Sequence, residues 1–182
     1  MSNTIQRNSE YEVTNPSVFE LIFLGGVLGG IGGGFAFSLL ILLLTPGSGF
    51  YTAVAGLFLP SSDVLVGFVV HIGIAVVFGI MFGIGLIFIP KLGSSQMMTL
   101  ISGLVWALIL WIIAAHILMP LIVFEFSSEI ISSTFSLDYL ISTDTWLSQN
   151  SVNSLLTHLL YGVLLALVTW NLPPLLEKIR SR

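Results

Sequence analysis

The sequence predicts an all-α membrane protein, a bundle of four transmembrane helices that forms one domain over residues 1–182. Hydrophobic residues make up 55% of the chain and charged residues only 8%, whereas soluble domains contain about 25% charged residues. Four apolar stretches are each long enough to cross a bilayer core of about 30 Å. No stretch shows the alternation that a membrane β-barrel requires, so helices are the expected spanning elements.

The four predicted spans have boundaries typical of helix ends. The spans cover residues 18–44, 64–89, 99–124 and 152–172. Proline is expected to end three of them, at Pro46, Pro90 and Pro173-Pro174. Two runs are expected to cap helix N-termini, Ser61-Ser62-Asp63 for the second span and Asn150-Ser151 for the fourth.

The third span and the two longer connections carry further signals. Pro120 lacks an N–H group, so a kink is expected where the carbonyl of His116 loses its helical partner. Residues 45–63 are apolar enough to lie at the membrane interface or to re-enter slightly. Residues 125–151 form the polar outer loop, which we expect to be a partly helical cap on the membrane surface.

The basic residues define an orientation. In the four-span topology all five fall on one side: Arg7, Lys91, Lys178, Arg180 and Arg182. The opposite loops carry five acidic residues: Asp63, Glu125, Glu129, Asp138 and Asp144. By the positive-inside rule the basic side faces the cytoplasm. We therefore expect a multi-pass protein of the plasma membrane with both termini in the cytoplasm.

The glycines predict where helices pack closely. The first span contains two ladders of small residues at spacing four, Gly25/Gly29/Gly33 and Gly26/Gly30/Gly34. Matching positions occur in the second span at Gly79 and Gly83 and in the fourth span at Gly162. Small residues let helix backbones approach in lipid, either within one chain, in a homo-oligomer or with a partner's helix. A phosphate-binding loop is excluded, since neither G-x-G-x-x-G spacing nor a G-K-[ST] ending is present.

Three histidines are the only ionisable side chains well inside the spans: His71, His116 and His158. At a rise of 1.5 Å per residue they lie roughly 9–12 Å below the outer surface, so they share one layer. His71 lies on the stripe of Gly79 and Gly83, and His158 on the stripe of Gly162. Both are therefore predicted to point into the bundle. The direction of His116 stays open.

An ionisable group inside a membrane is a functional-site hypothesis by default. Neutral imidazoles can hold helices together by hydrogen bonds, here to Ser154, Thr157 or Tyr161. Alternatively, His71 and His158, with or without His116, ligate a metal or haem. Haem is disfavoured because no Arg or Lys lies on the outer side to pair with its propionates. Zinc or copper is disfavoured because no carboxylate lies at that depth to support the ligating histidines. A third alternative is a proton- or cation-responsive path.

Several classes of function are excluded by what the chain lacks. It contains no cysteine, which excludes disulfides and thiolate metal sites. It has no cluster of Lys or Arg, so no nucleic-acid partner is expected. No carboxylate lies at the depth of the histidines, so a Ser-His-Asp arrangement cannot be assembled. We expect no enzymatic activity and no cofactor.

Three segments carry a resemblance to known proteins: VGFVVHIGIAVVFGIMFG, SGLVWALILWIIAAHILMPL and SLLTHLLYGVLLALV. Over roughly residues 64–172 the chain resembles a family of small four-helix membrane proteins of archaea and bacteria with unknown function. The resemblance implies the fold and the membrane location and no chemistry. Some members carry the label "histidine kinase", which this sequence contradicts because it has no ATP-binding glycine loop and its histidines lie in lipid.

These inferences predict a structural or accessory subunit of a membrane assembly. Its partners would be the lipid bilayer and other transmembrane helices, in a homo-oligomer or a larger complex. The alternative is a small transporter or channel, or a protein that binds a metal or haem, using the intramembrane histidine layer.

Overall fold

A computed structural model describes residues 16–45, 47, 49–59, 61–118 and 148–180 of the chain. This part is helical and contains no strand. Its helices are α1 (Pro16–Leu44), α2 (Gly49–Phe58), α3 (Val64–Phe88), α4 (Gln96–Ile113) and α5 (Gln149–Arg180). Four of them are long and apolar enough to cross a membrane. The predicted four-helix bundle is confirmed, and the protein is a multi-pass membrane protein.

The helix boundaries agree with the sequence in some places and differ in others. Asp63 caps α3, because its side chain accepts hydrogen bonds from the backbone N–H groups of Leu65 and Val66 at 2.7 and 3.2 Å. For α5 the predicted cap is wrong by two to three residues, since the helix begins at Gln149 and the Ser148 hydroxyl accepts from a backbone N–H in the first turn.

The prediction that Pro173-Pro174 ends the fourth helix is wrong. The helix α5 continues through both prolines to Arg180. Each proline removes one hydrogen bond but has a φ angle compatible with a helix. Such losses are tolerated in membrane helices when nearby groups satisfy the freed carbonyls.

A π-helical turn, Ala114–Leu118, follows α4 directly. A kink is predicted at Pro120, but that proline lies outside the described residues, as do residues 125–147 of the predicted outer loop and Arg7. The connection predicted at the interface forms α2, while the turn between α3 and α4 is a short 3-10 helix, Pro90–Gly93.

Neighbouring long helices run antiparallel, and their closest packing follows the order α3, α1, α5, α4. The central helix α1 packs along α3 on one side and along α5 on the other, and α4 packs along α5. The short helix α2 packs against α3. Close packing between α3 and α4 is absent from the described residues, although the two are joined by a short turn. The end of the bundle at this turn is called the Lys91 end, and the opposite end, where α3 begins, is called the Asp63 end.

Both glycine ladders of α1 face helices of the same chain. A Cβ atom at Gly26 would lie 2.5 Å from the carbonyl oxygen of Gly79 on α3, and one at Gly29 would lie 3.1 Å from the carbonyl oxygen of Leu165 on α5. Gly103 of α4 meets Gly162 of α5 in the same way, with 2.5 Å between the added Cβ and the carbonyl oxygen. Neither ladder is therefore left free for a second chain.

The remaining ladder positions make similar contacts, with Gly25 on Thr169, Gly30 on Ala75 and Val76, Gly33 on Tyr161, Gly34 on Ala75, and Gly83 on Ile22. These glycines lie between the middle of the bundle and the Lys91 end. We call this part the glycine half. Close approach of the backbones leaves little room there for any other molecule.

Candidate functional site

The glycine pattern of α1 stops where the histidine layer begins. The next position of the Gly25/Gly29/Gly33 ladder is Phe37, a large aromatic side chain. On α5 the corresponding change is from Gly162 to His158, and on α3 from Ala75 to His71. Large side chains hold the helices further apart than glycines do. This part, toward the Asp63 end, is called the histidine half.

A cavity of about 110 Å³ lies in the histidine half. All five helices and the π-helical turn contribute to its wall. The lining residues are Phe37, Phe50, Val54, His71, Ile74, Ala75, Phe78, Leu110, Ile113, Ala114, Leu118, His158 and Tyr161. The wall is thus apolar apart from two imidazoles and one phenol.

His71 reaches the cavity from α3 inside a group of aromatic rings. Its ring centroid lies 4.7 Å from that of Phe37, 5.3 Å from that of Phe50 and 6.2 Å from that of Tyr51. The backbone carbonyl of Gly34 on α1 lies close enough to the imidazole to interact with it. The Nε2 atom of His71 is buried and has no hydrogen-bond partner among the described residues.

His158 reaches the same cavity from α5 with a similar anchor. Its Nδ1 lies 2.7 Å from the carbonyl oxygen of Ser154, one turn earlier in the same helix. A carbonyl oxygen only accepts hydrogen bonds, so Nδ1 carries the proton and Nε2 carries the lone pair. This bond sets the tautomer of His158.

One aromatic side chain contacts both imidazoles. Phe37 lies 4.7 Å from the His71 ring and 5.0 Å from the His158 ring, measured between centroids. The imidazoles are therefore separated by no more than the sum of these distances, and they are close enough for charges placed on both to interact. The cavity thus presents two hydrogen-bond acceptors within the reach of one small molecule.

The third histidine belongs to a different contact. His116, in the π-helical turn, is only 3% exposed, and its Nε2 lies 3.3 Å from the hydroxyl of Ser151 on α5. Its ring stands edge-on to Trp111, with 4.8 Å between centroids. It is not among the residues that line the cavity. The structure therefore joins His71 and His158 and places His116 at the contact between the α4 end and α5.

The side chains proposed as histidine partners are mostly engaged elsewhere. The Tyr161 hydroxyl donates to the carbonyl of Ala75 on α3 at 2.6 Å, and the Thr157 hydroxyl donates to the carbonyl of Ser154 at 2.7 Å. The Ser154 hydroxyl lies 3.5 Å from Nδ1 of His158, whereas the backbone carbonyl oxygen of Ser154 lies only 2.7 Å from the same nitrogen. The two cavity histidines therefore do not join helices through these side chains.

The described residues contain no group of three or more His, Asp or Glu side chains placed to hold a metal ion. A three-histidine site is thus not assembled there, which leaves at most two imidazole ligands in the cavity. The volume also excludes a haem, since an empty cavity of about 150 Å³ is filled by a single benzene ring. The arrangement suits a small ligand that meets two imidazole lone pairs.

A scan against protein-family models, a search of curated proteins and a search of solved structures each found no match to this chain. The resemblance to small four-helix membrane proteins stays a prediction.

Phe37, which contacts both histidines, was not predicted as part of the site. A signal for it exists in the sequence, because it is the first large residue in a glycine ladder. Tyr161 was predicted as a hydrogen-bond partner of the histidines, but its hydroxyl bridges α5 to α3 beside the cavity. That bond could not be predicted, because it depends on which residue of α3 lies opposite.

Proposed function

We propose that this protein is a non-enzymatic, multi-pass protein of the plasma membrane that binds a small ligand inside the bilayer. The ligand would lie in the cavity between His71 and His158. Both termini would face the cytoplasm. The proposal has two parts, the orientation and the binding, and each has its own test.

The orientation is supported by the charges at the two ends of the bundle. Lys91 lies at one end and Asp63 at the other, and both are exposed. The chain contains no cysteine, so single cysteines at Ser62 and Ser94, which are exposed at the Asp63 and Lys91 ends, can be labelled without background. In intact cells an impermeant maleimide should label Ser62→Cys and leave Ser94→Cys unmodified. The reverse pattern would contradict the orientation.

The binding proposal depends on one observation, the buried Nε2 of His71 that has no hydrogen-bond partner. An unsatisfied buried polar group costs about 1–3 kcal/mol. Ser38 Oγ and Trp106 Nε1 are also buried without a partner among the described residues, but of these three side chains His71 is the one that lines the cavity. Metal-ligating histidines are usually oriented by a hydrogen bond from the other ring nitrogen, and His158 makes such a bond to Ser154.

The wall of the cavity supports binding without chemistry. Among the lining residues there is no carboxylate, and the only hydroxyl, that of Tyr161, is engaged by the Ala75 carbonyl. Neither histidine contacts a carboxylate that would orient it as a base, as a nucleophilic triad requires. The site thus offers acceptors and apolar surface.

The test is the content of the purified protein. We expect the unmodified chain, purified in lipid nanodiscs, to retain one small molecule or ion per chain, detected by mass spectrometry of extracts and by elemental analysis. The double variant His71→Phe/His158→Phe should lose it. The control His116→Gln, which changes a histidine outside the cavity, should retain it. Equal contents in all three proteins would contradict the proposal.

A second candidate, an accessory subunit of a larger membrane assembly, is favoured by two outward-facing glycines. Gly32 of α1 and Gly73 of α3 are exposed, and a Cβ atom at either would meet nothing within 4 Å. Such positions leave room for a helix of another chain. Cross-linking from a cysteine at Gly73 in membranes should then capture a defined partner. The same yield from a cysteine at Val77, one turn away, would indicate unspecific contact.

A further inference from the structure

The wall of the cavity suggests which ligand it binds. We infer that the cavity holds the ring of a membrane-soluble p-hydroquinone, whose two hydroxyl groups donate to Nε2 of His71 and Nε2 of His158. This inference rests on the proposed binding function and narrows it to one chemical class.

The tautomers decide what kind of polar group is accepted. His158 donates its Nδ1–H to the carbonyl of Ser154, and we assign the same tautomer to His71, whose Nε2 is buried without a partner among the described residues and whose ring lies near the Gly34 carbonyl. Both Nε2 atoms then only accept hydrogen bonds. A ligand must therefore bring hydrogen-bond donors. A molecule with two carbonyl oxygens would leave both of these oxygens and both Nε2 atoms unpaired. The site is thus expected to select hydroxyl groups over ketone groups.

The size and lining of the cavity fit one aromatic ring. The volume of about 110 Å³ is somewhat smaller than that of a closed cavity that binds benzene, about 150 Å³, so one ring would fill it and any bulky ring substituent would extend into the gap between α3 and α4. The rings of Phe37, Phe50 and Phe78 line it, and aromatic pairs gain from edge-to-face contact. The two acceptors come from different helices that both pack against α1. A ring with hydroxyls at opposite ends matches acceptors that face one cavity from two sides.

A route from the bilayer lies between α3 and α4. These helices form opposite walls of the cavity and are not packed against each other in the described part of the chain. Two of the lining residues on the α4 side are exposed, Ile113 by 37% and Leu118 by 39%. Toward the Lys91 end the gap is narrowed by Phe78 and Trp106, whose ring centroids are 6.5 Å apart. A ring could enter sideways from lipid with its isoprenoid tail remaining outside.

A metal ion is the rival ligand for two imidazoles. Within the described part of the chain no anionic side chain lines the cavity, so a divalent ion would remain uncompensated in an apolar site. Among the metals that imidazole binds, copper as monovalent Cu(I) needs the least charge compensation. We favour the hydroquinone because the apolar, aromatic wall and the gap between α3 and α4 have no role in holding an ion.

The experiment compares one ligand in two oxidation states. The full-length protein in nanodiscs is titrated anaerobically with a p-hydroquinone bearing one isoprenoid unit, and separately with the corresponding p-quinone, by isothermal titration calorimetry. We expect the hydroquinone to bind about tenfold more tightly or better, because it alone makes the two hydrogen bonds. His71→Phe and His158→Phe should each reduce this ratio several-fold, and His116→Gln should not.

Each outcome decides the inference. Equal affinity, tighter binding of the quinone or no binding of either would overturn it. Should a Phe variant fail to fold, the ratio measured on the unmodified protein is sufficient. A parallel titration with Ag(I), a stand-in for Cu(I), separates the two proposals. Histidine-dependent binding of Ag(I) without hydroquinone selectivity would reject the ligand class and keep the binding function, and no histidine-dependent binding of any probe would count against both.

Discussion

The glycine half and the histidine half of the bundle are built from the same helices but differ in how closely those helices approach. In the glycine half, backbone meets backbone, as at Gly26 and Gly79. In the histidine half, Phe37 follows the ladder, and a cavity with two imidazoles results. The buried hydrophobic core extends through both halves, from Leu86 to Ile41 and Tyr51. The histidine half differs in that it also contains the cavity and the buried Nε2 of His71, a polar group that reduces stability unless a ligand pairs with it.

The largest expected effect is a loss of unfolding free energy when a glycine of the glycine half is replaced. Gly26→Ala places a Cβ atom 2.5 Å from the carbonyl oxygen of Gly79, so α1 and α3 must separate. Overpacking of this kind costs about 1–3 kcal/mol of unfolding free energy. The matched control is Gly32→Ala on the same helix, whose Cβ meets nothing within 4 Å and which should be neutral or slightly stabilising. Titration with sodium dodecyl sulfate, followed by tryptophan fluorescence, measures both.

A similar loss of unfolding free energy for Gly32→Ala would show that helix propensity or lipid contact determines these effects, and not the close contact between α1 and α3. The comparison between the two halves would then lose its physical basis. Stability measured for both variants in the same lipid excludes a difference in bilayer thickness.

The next prediction compares two histidines, whose replacement is expected to change the unfolding free energy in opposite directions. Replacing His71 by Phe removes a buried acceptor that has no partner among the described residues, and also the interaction with the Gly34 carbonyl, so the ligand-free protein should become more stable by about 1 kcal/mol or less. Replacing His116 by Phe removes the bond to Ser151 and should destabilise by about the same amount. Gains in stability on removing a functional residue are common at binding sites. A loss of stability for His71→Phe would indicate a structural role for that residue.

The smallest effect tests the link between the halves. Tyr161→Phe removes the hydrogen bond from its hydroxyl to the carbonyl of Ala75 and keeps the ring beside the cavity. Bonds between membrane helices contribute about 0.6 kcal/mol on average, so a loss of that order is expected in the same unfolding assay. A loss above about 2 kcal/mol would exceed the largest such contributions, about 1.7 kcal/mol, and would place the stability of the bundle in the histidine half.

Much of the fold could be predicted from local features of the sequence. The apolar lengths gave all four membrane helices, and Asp63 marked the beginning of α3 because a cap acts only on its own first turn. Pro173-Pro174 misled the prediction, since whether a proline ends a helix depends on what surrounds the freed carbonyls. The helix α2 was predicted only as an apolar connection, because its stability comes from packing against α3.

The candidate site could be predicted in part. The spacing of His71 from Gly79, and of His158 from Gly162, pointed both histidines into the bundle, where the structure has them line one cavity. The position of His116 could not be predicted, because its contact with Ser151 depends on how far α4 and α5 are shifted along each other. The cavity itself depends on what lies opposite each residue, which no single helix pattern contains.

The measurement that tests the central claim most directly is the protonation state of the imidazole nitrogens. The chain has only three histidines, so ¹⁵N-histidine labelling and solid-state NMR in lipid bilayers can resolve them, with His71→Phe and His158→Phe for assignment. For both cavity histidines we predict protonated Nδ1 and unprotonated Nε2, with the Nε2 signal shifting when a hydrogen-bond donor is added. Protonated Nε2 at either histidine, or Nε2 signals that no ligand moves, would contradict the account.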